Sequence, residues 1–136
     1  MGTAVGEMNS ETQMEAKAIL IAANPHSGAM DRRPLLETLA ERLRSEGYEP
    51  HLCYEMQRWG LLASDLQVQG RLKLVVSAGG DGTLAAVVNQ IAPEVPILVV
   101  PLGTENLLAK HFGLTANVED ILALIRSGTE VRIDAG

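Results

Sequence analysis

The chain has 136 residues, room for one domain that buries a real core. Its formal net charge of −6 argues against broad nucleic-acid binding by charge. Hydrophobic residues make up 46% and aromatic residues only 3%, so the core must be aliphatic, which suits a buried parallel sheet flanked by helices.

Residues 1–16 are polar, mixed and without period, and are expected to form a mobile tail ahead of a domain over 17–136. The first strand is the apolar run Lys17 to Ala23, stopped by the dense turn signal Asn24-Pro25-His26-Ser27-Gly28. A helix from about Pro34 to Glu46 puts Leu35, Leu36, Leu39 and Leu43 on one stripe, and Gly47 ends it. A second strand is predicted from Tyr48 to Tyr54, and a second helix from Arg58 to Gln69. The third strand, Leu72 to Ser77, runs into Gly79-Gly80-Asp81-Gly82-Thr83, and a third helix with Leu84, Val87, Val88 and Ile91 is expected just past that turn. The fourth strand, Pro96 to Val100, leads to Pro101-Leu102-Gly103-Thr104-Glu105-Asn106 and a short helix from Leu107 to Phe112. Asn117 is read as the cap of a helix carrying Val118, Ile121, Leu122 and Ile125. Gly128 closes it, and Val131 to Ala135 reads as a last strand. The order βαβαβαβααβ predicts an α/β domain, Rossmann-like and three-layered, with a largely parallel sheet.

The segment Gly79–Thr83 carries the most chemistry. Strand, glycine turn and helix start follow in the order that phosphate sites use. Glycines let backbone N–H groups approach an anion, and a helix start adds unpaired donors and the positive end of the dipole. A carboxylate in such a turn repels phosphate unless it holds a metal ion or takes a proton from an attacking hydroxyl, which marks Asp81 as the candidate catalytic and metal-binding residue. The competing reading is a glycine turn shaped for tight packing alone. The segment is not a Walker loop, since no Gly-Lys-Ser/Thr follows, and it lacks the third glycine of the dinucleotide fingerprint. In parallel sheets, ligands sit beyond the carboxyl ends of strands. Turns after strands one, three and four all fall at that edge, and their convergence favours a phosphate site.

Together, Asn24–Gly28, Gly79–Thr83 and Pro101–Asn106 resemble the motifs of the diacylglycerol kinase catalytic domain, a family that also includes bacterial lipid kinases and sphingosine kinases, with NAD kinases as more distant relatives. The resemblance runs over about residues 17–136. It implies ATP-dependent, Mg²⁺-assisted phosphorylation of a diacylglycerol-like lipid hydroxyl, in phospholipid metabolism. It also implies that Asn24, Pro25, His26, Ser27, Gly28, Gly79, Gly80, Asp81, Gly82 and Thr83 hold the nucleotide phosphates, with Thr104 adding a polar contact. Asp81 would act beside the metal or as base. Leu84-Ala85-Ala86 stands where the family commonly carries Leu-Asn-Glu, and Glu105-Asn106-Leu107 where Gly-Asn-Asp is common. Cys53-Tyr54-Glu55-Met56 lacks the threonines often found after the second strand. Family members continue into a β-rich second domain that completes the acceptor cleft, so this chain is expected to be the nucleotide-binding half, nearly inactive alone and able to self-associate. A catalytically inactive nucleotide-binding module, or a kinase of a soluble acceptor, are the alternatives. No signal peptide or membrane-spanning segment is read, so a cytoplasmic protein with at most transient contact at a membrane surface is expected.

Other residues read as structural. Cys53 is expected to be a buried, inert thiol, His51 and His111 lack metal-spaced partners, and Trp59 is read as core or boundary packing rather than a base pocket. Lys110 and Arg126 read as helix-surface charges, and Glu105 as an acid stabilised by a helix dipole.

Overall fold

The computed structural model describes residues 16–26, 31–102 and 117–127. The expected tail, the short helix at 107–112 and the last strand at 131–135 lie outside the described residues, as do Ser27, Gly28, Thr104, Glu105, Lys110 and His111.

Four strands form one sheet: β1 (Ala18–Ala23), β2 (Glu49–Cys53), β3 (Leu72–Gly79) and β4 (Ile97–Pro101). They are ordered β2-β1-β3-β4, and every described pairing is parallel. The helices are α1 (Arg33–Ser45), α2 (Trp59–Val68, after a 3₁₀ turn at Met56–Arg58), α3 (Asp81–Gln90) and α4 (Val118–Ser127). The α/β class and the parallel sheet are as the sequence predicts.

The central position of β1 explains its continuous apolar sequence, since all six residues are buried and helices cover both faces. Alternate residues feed two cores. Ile19, Ile21, Leu74, Val76, Leu98 and Val100 meet the apolar stripes of α1 and α4. Leu20, Ala22, Val75, Val99 and the buried Trp59 meet α2 and α3 on the other face. Leu36, Leu39 and Leu43 of α1 are each fully buried, a stabilisation of about 1.5–3 kcal/mol apiece relative to exposure.

Helix ends match their chemistry. Gly47 takes φ +95° just after α1, a left-handed conformation that favours glycine. Asn117 Oδ1 accepts the N–H groups of Glu119 (2.8 Å) and Asp120 (3.2 Å), the expected cap of α4. The main departure lies at the glycine motif. β3 runs two residues beyond Ser77, to Gly79, and α3 begins at Asp81, inside the motif rather than past it. The reason is that Gly80, extended at φ −102°, ψ −164°, is the whole connection.

Arg126, expected to be an ordinary surface charge, instead joins two helices. Its Nε donates to Glu46 Oε1 at 2.9 Å and its Nη2 to the other carboxylate oxygen, while Arg42 Nη1 donates to Glu119 Oε2 at 2.5 Å. These bonds lower the carboxyls of Glu46 and Glu119 below their ordinary value of 4.5, the hydrogen bond from each arginine being the first cause. Because the folded values are depressed, the clamp contributes fully above the ordinary carboxylate range and is lost as pH falls through the folded values. Glu46→Gln/Glu119→Gln should therefore melt below the parent at pH 7, with the gap closing as pH falls through the depressed folded values of the two carboxyls. A gap independent of pH would show that the carboxylates act through packing alone.

Candidate functional site

The sheet order makes a switch point. From β1 the chain crosses to β2 on one side through α1, and from β3 it crosses to β4 on the other through α3. The carboxyl ends of β1 and β3 therefore flank the crevice where open α/β sheets take their ligands. Backbone bonds hold the strand ends together there. Asn24 N–H donates to Ala78 O at 2.8 Å, and Leu102 N–H donates to Gly79 O at 3.1 Å. The described parts of all three motifs thus leave adjacent strand ends.

The turn after β1 is built by its own side chain. Asn24 Oδ1 accepts the N–H of His26 at 3.1 Å, folding the chain back, and Pro25 O accepts the N–H of Arg32 at 3.1 Å. Pro25 is buried, whereas His26 is exposed at the rim. Next to it Asp31 is gripped by Arg33 through Nε and Nη2, at 3.0, 3.1 and 2.7 Å. These side-chain bonds, with the Arg33 backbone N–H and the smaller influence of His26, hold the Asp31 carboxyl at about 2. Neither this pair nor Arg32 was singled out from sequence, although Arg32-Arg33 so close behind the asparagine motif was a readable signal.

At the other motif, Asp81 and Gly82 are exposed in the first turn of α3, and the first helical bond runs from Leu84 N–H to Gly80 O at 3.1 Å. The N–H groups of Gly82 and Thr83 precede that bond, so they have no helical acceptor, and the N-cap residue Gly80 has no side chain to offer them one. The motif's glycines have different reasons for being there. A Cβ on Gly79 would lie 2.7 Å from Thr83 Cβ and 3.0 Å from its Cγ2, so helix and strand touch there. Thr83 is correspondingly 3% exposed, its side chain packed against Gly79. A Cβ on Gly82 would meet nothing within 4 Å, and its φ is not positive. Protein packing explains Gly79 and leaves Gly82 unexplained.

Trp59 is fully buried and donates from Nε1 to Cys53 O at 3.0 Å, so it packs α2 onto the sheet and lines no base pocket. Cys53 is buried. His51 Nε2 lies 2.8 Å from Glu49 Oε2, and burial holds its imidazole below the ordinary 6.5. Among the described residues no group of three His, Cys, Asp or Glu side chains is placed to hold a metal ion, and no helix is long and apolar enough to cross a membrane. Mg²⁺ in phosphate sites commonly rests on one or two carboxylates plus the phosphates, a demand that Asp81 can meet in part.

Fold and site together define a doubly wound α/β domain whose glycine motifs flank the switch point, an arrangement suited to anions. The family model for the diacylglycerol kinase catalytic domain matches residues 17–136, and the chain belongs to that family. It is 32% identical over 125 residues to a diacylglycerol kinase of Staphylococcus carnosus (strain TM300), covering 88% of this chain and 40% of the relative. It is also 32% identical over 126 residues to one of Staphylococcus aureus (strain JH9), covering 88% and 39%. The crystal structure of a diacylglycerol kinase from Bacillus anthracis str. Sterne superposes with a TM-score of 0.61 at 24% identity, over 83% of this chain and 40% of that one, a likeness of fold. The chain spans about 40% of the length of the curated relatives it matches.

Proposed function

We propose that this chain is the nucleotide-binding part of an ATP-dependent lipid kinase, which transfers the γ-phosphoryl group of ATP to a diacylglycerol-like hydroxyl. The observation that carries the reading is Gly82: an exposed glycine in the first turn of a helix whose N-cap is itself a glycine, where an added Cβ would meet nothing within 4 Å among the described residues, at the switch point of the sheet. An oxyanion arriving there would find N–H donors and the helix dipole with no Cβ in its way. In this reading Asn24 to His26, the described residues of the turn after β1, would approach the same phosphates from the other side of the crevice.

In this reading the first turn of α3 holds the phosphates, and Asp81 either shares Mg²⁺ with them or accepts the proton of the attacking hydroxyl. Magnesium would supply charge neutralisation on the phosphate oxygens. The protein contributes position and electrostatics, which dominate phosphoryl transfer. The reading also assigns the lipid and its membrane surface to the longer protein that its relatives represent. Ala85 is exposed on α3, where the family commonly carries a polar residue, and this keeps a catalytically silent nucleotide-binding module as the second reading.

Thermal-shift titration with ATP and ADP, with and without Mg²⁺, tests the proposal. Stabilisation should reach about 2.7 kcal/mol at a hundredfold excess over Kd. Flat melting curves at millimolar nucleotide would reject both readings, whereas binding without turnover in the longer protein would select the silent module.

A further inference from the structure

We propose that Arg32, outside the glycine motifs, is a ligand for the phosphate chain of the bound nucleotide; this rests on the nucleotide reading above. Arg32 is the residue that caps the start of α1, and its own N–H is tied to Pro25 O at 3.1 Å, which fixes its backbone against the turn leaving β1. Its side-chain Nε is buried and has no hydrogen-bond partner. A guanidinium stays charged at any physiological pH, and a buried charged donor without an acceptor is costlier than a neutral one.

The neighbouring carboxylate does not relieve it. Asp31 is one residue away, but both of its oxygens are engaged by Arg33, at 2.7–3.1 Å. No carboxylate pairs with Arg32 among the described residues. The cluster thus neutralises one arginine and leaves the other unsatisfied, beside the first phosphate motif. A planar fork of donors matches phosphate oxygens, and an anion from solution supplies the acceptor that the protein withholds.

Two probes share that chemistry, the diphosphate of ADP and inorganic pyrophosphate. Isothermal titration of the full chain and of Arg32→Gln and Arg32→Lys separates the outcomes. Arg32→Gln should weaken both probes by about ten- to a hundredfold, the range for a lost charge-assisted bond, and Arg32→Lys should recover part of the loss. Without ligand, Arg32→Gln should melt at or above the parent temperature, because the buried Nε donor that lacks a partner has been removed. Unchanged ADP affinity in Arg32→Gln overturns the proposal while the nucleotide reading stands. A loss for ADP but not pyrophosphate would move Arg32 to the nucleoside and overturn it too. A melting temperature well below the parent would make Arg32 structural. If the parent binds neither probe, the nucleotide reading fails along with it.

Discussion

If the proposed function holds, Asp81→Asn in a longer protein that carries this chain should reduce phosphoryl transfer by about 10²–10⁴-fold, the usual range for a lost general base, while the fold stays intact. Asp81 is exposed in the first turn of α3, and asparagine keeps its shape. The stability loss should stay near the worth of an acid at a helix N-terminus, about 0.3–1 kcal/mol. Kinetics separate the two roles. If Asp81 shares Mg²⁺ with the phosphates, the substitution raises the KM for ATP as well as lowering kcat. If it acts as base, kcat falls with KM unchanged. Equal turnover in variant and parent would reduce Asp81 to a favourable charge at a helix start.

Much of the fold could be read because the signals were local. The runs at 17–23, 72–77 and 96–100 are mostly apolar, with only Lys17, Lys73 and Ser77 polar, as suits strands covered on both faces, and turn residues punctuate each of them. The amphipathic stripes of α1 and α4 fixed which faces meet the sheet. Element ends were less legible. Nothing in Gly79-Gly80-Asp81 says whether a strand stops before it or within it, since glycine is compatible with both, and only the pairing with β4 keeps Gly79 in the sheet.

Long-range pairing left no trace in the sequence. Arg42 and Glu119 lie 77 positions apart, and Arg126 and Glu46 lie 80 apart. Each looks like an ordinary charge until the helices are packed. The three motifs could be placed on one sheet edge because parallel strands send all their carboxyl ends the same way. What each side chain does at that edge was beyond the sequence. Thr83 offers a hydroxyl on paper, but its side chain is packed against Gly79, while Arg32, just behind the first motif, carries a buried donor with no partner.

Two glycines of the motif, the buried Gly79 and the exposed Gly82, should respond in opposite ways to the same added methyl. In Gly79→Ala the new Cβ lies 2.7 Å from Thr83 Cβ, and Thr83 is too buried to swing aside, so α3 must lift from β3. Overpacking of this kind costs about 1–3 kcal/mol, and nucleotide affinity should fall with it because the helix start moves. Adding Thr83→Ala should recover part of the stability, since the hydroxyl and methyl that crowd the new Cβ are removed. Gly82→Ala meets nothing within 4 Å and sits in a helix, where alanine is favoured by about 0.5–1 kcal/mol. Its melting temperature should rise while ADP binding weakens, because the methyl fills the approach to the N–H groups. Melting curves with and without ADP measure both effects on the same samples. A more stable Gly82→Ala that binds ADP as well as the parent would mean the open space belongs to no ligand, and the glycine motif would then be an instrument of packing.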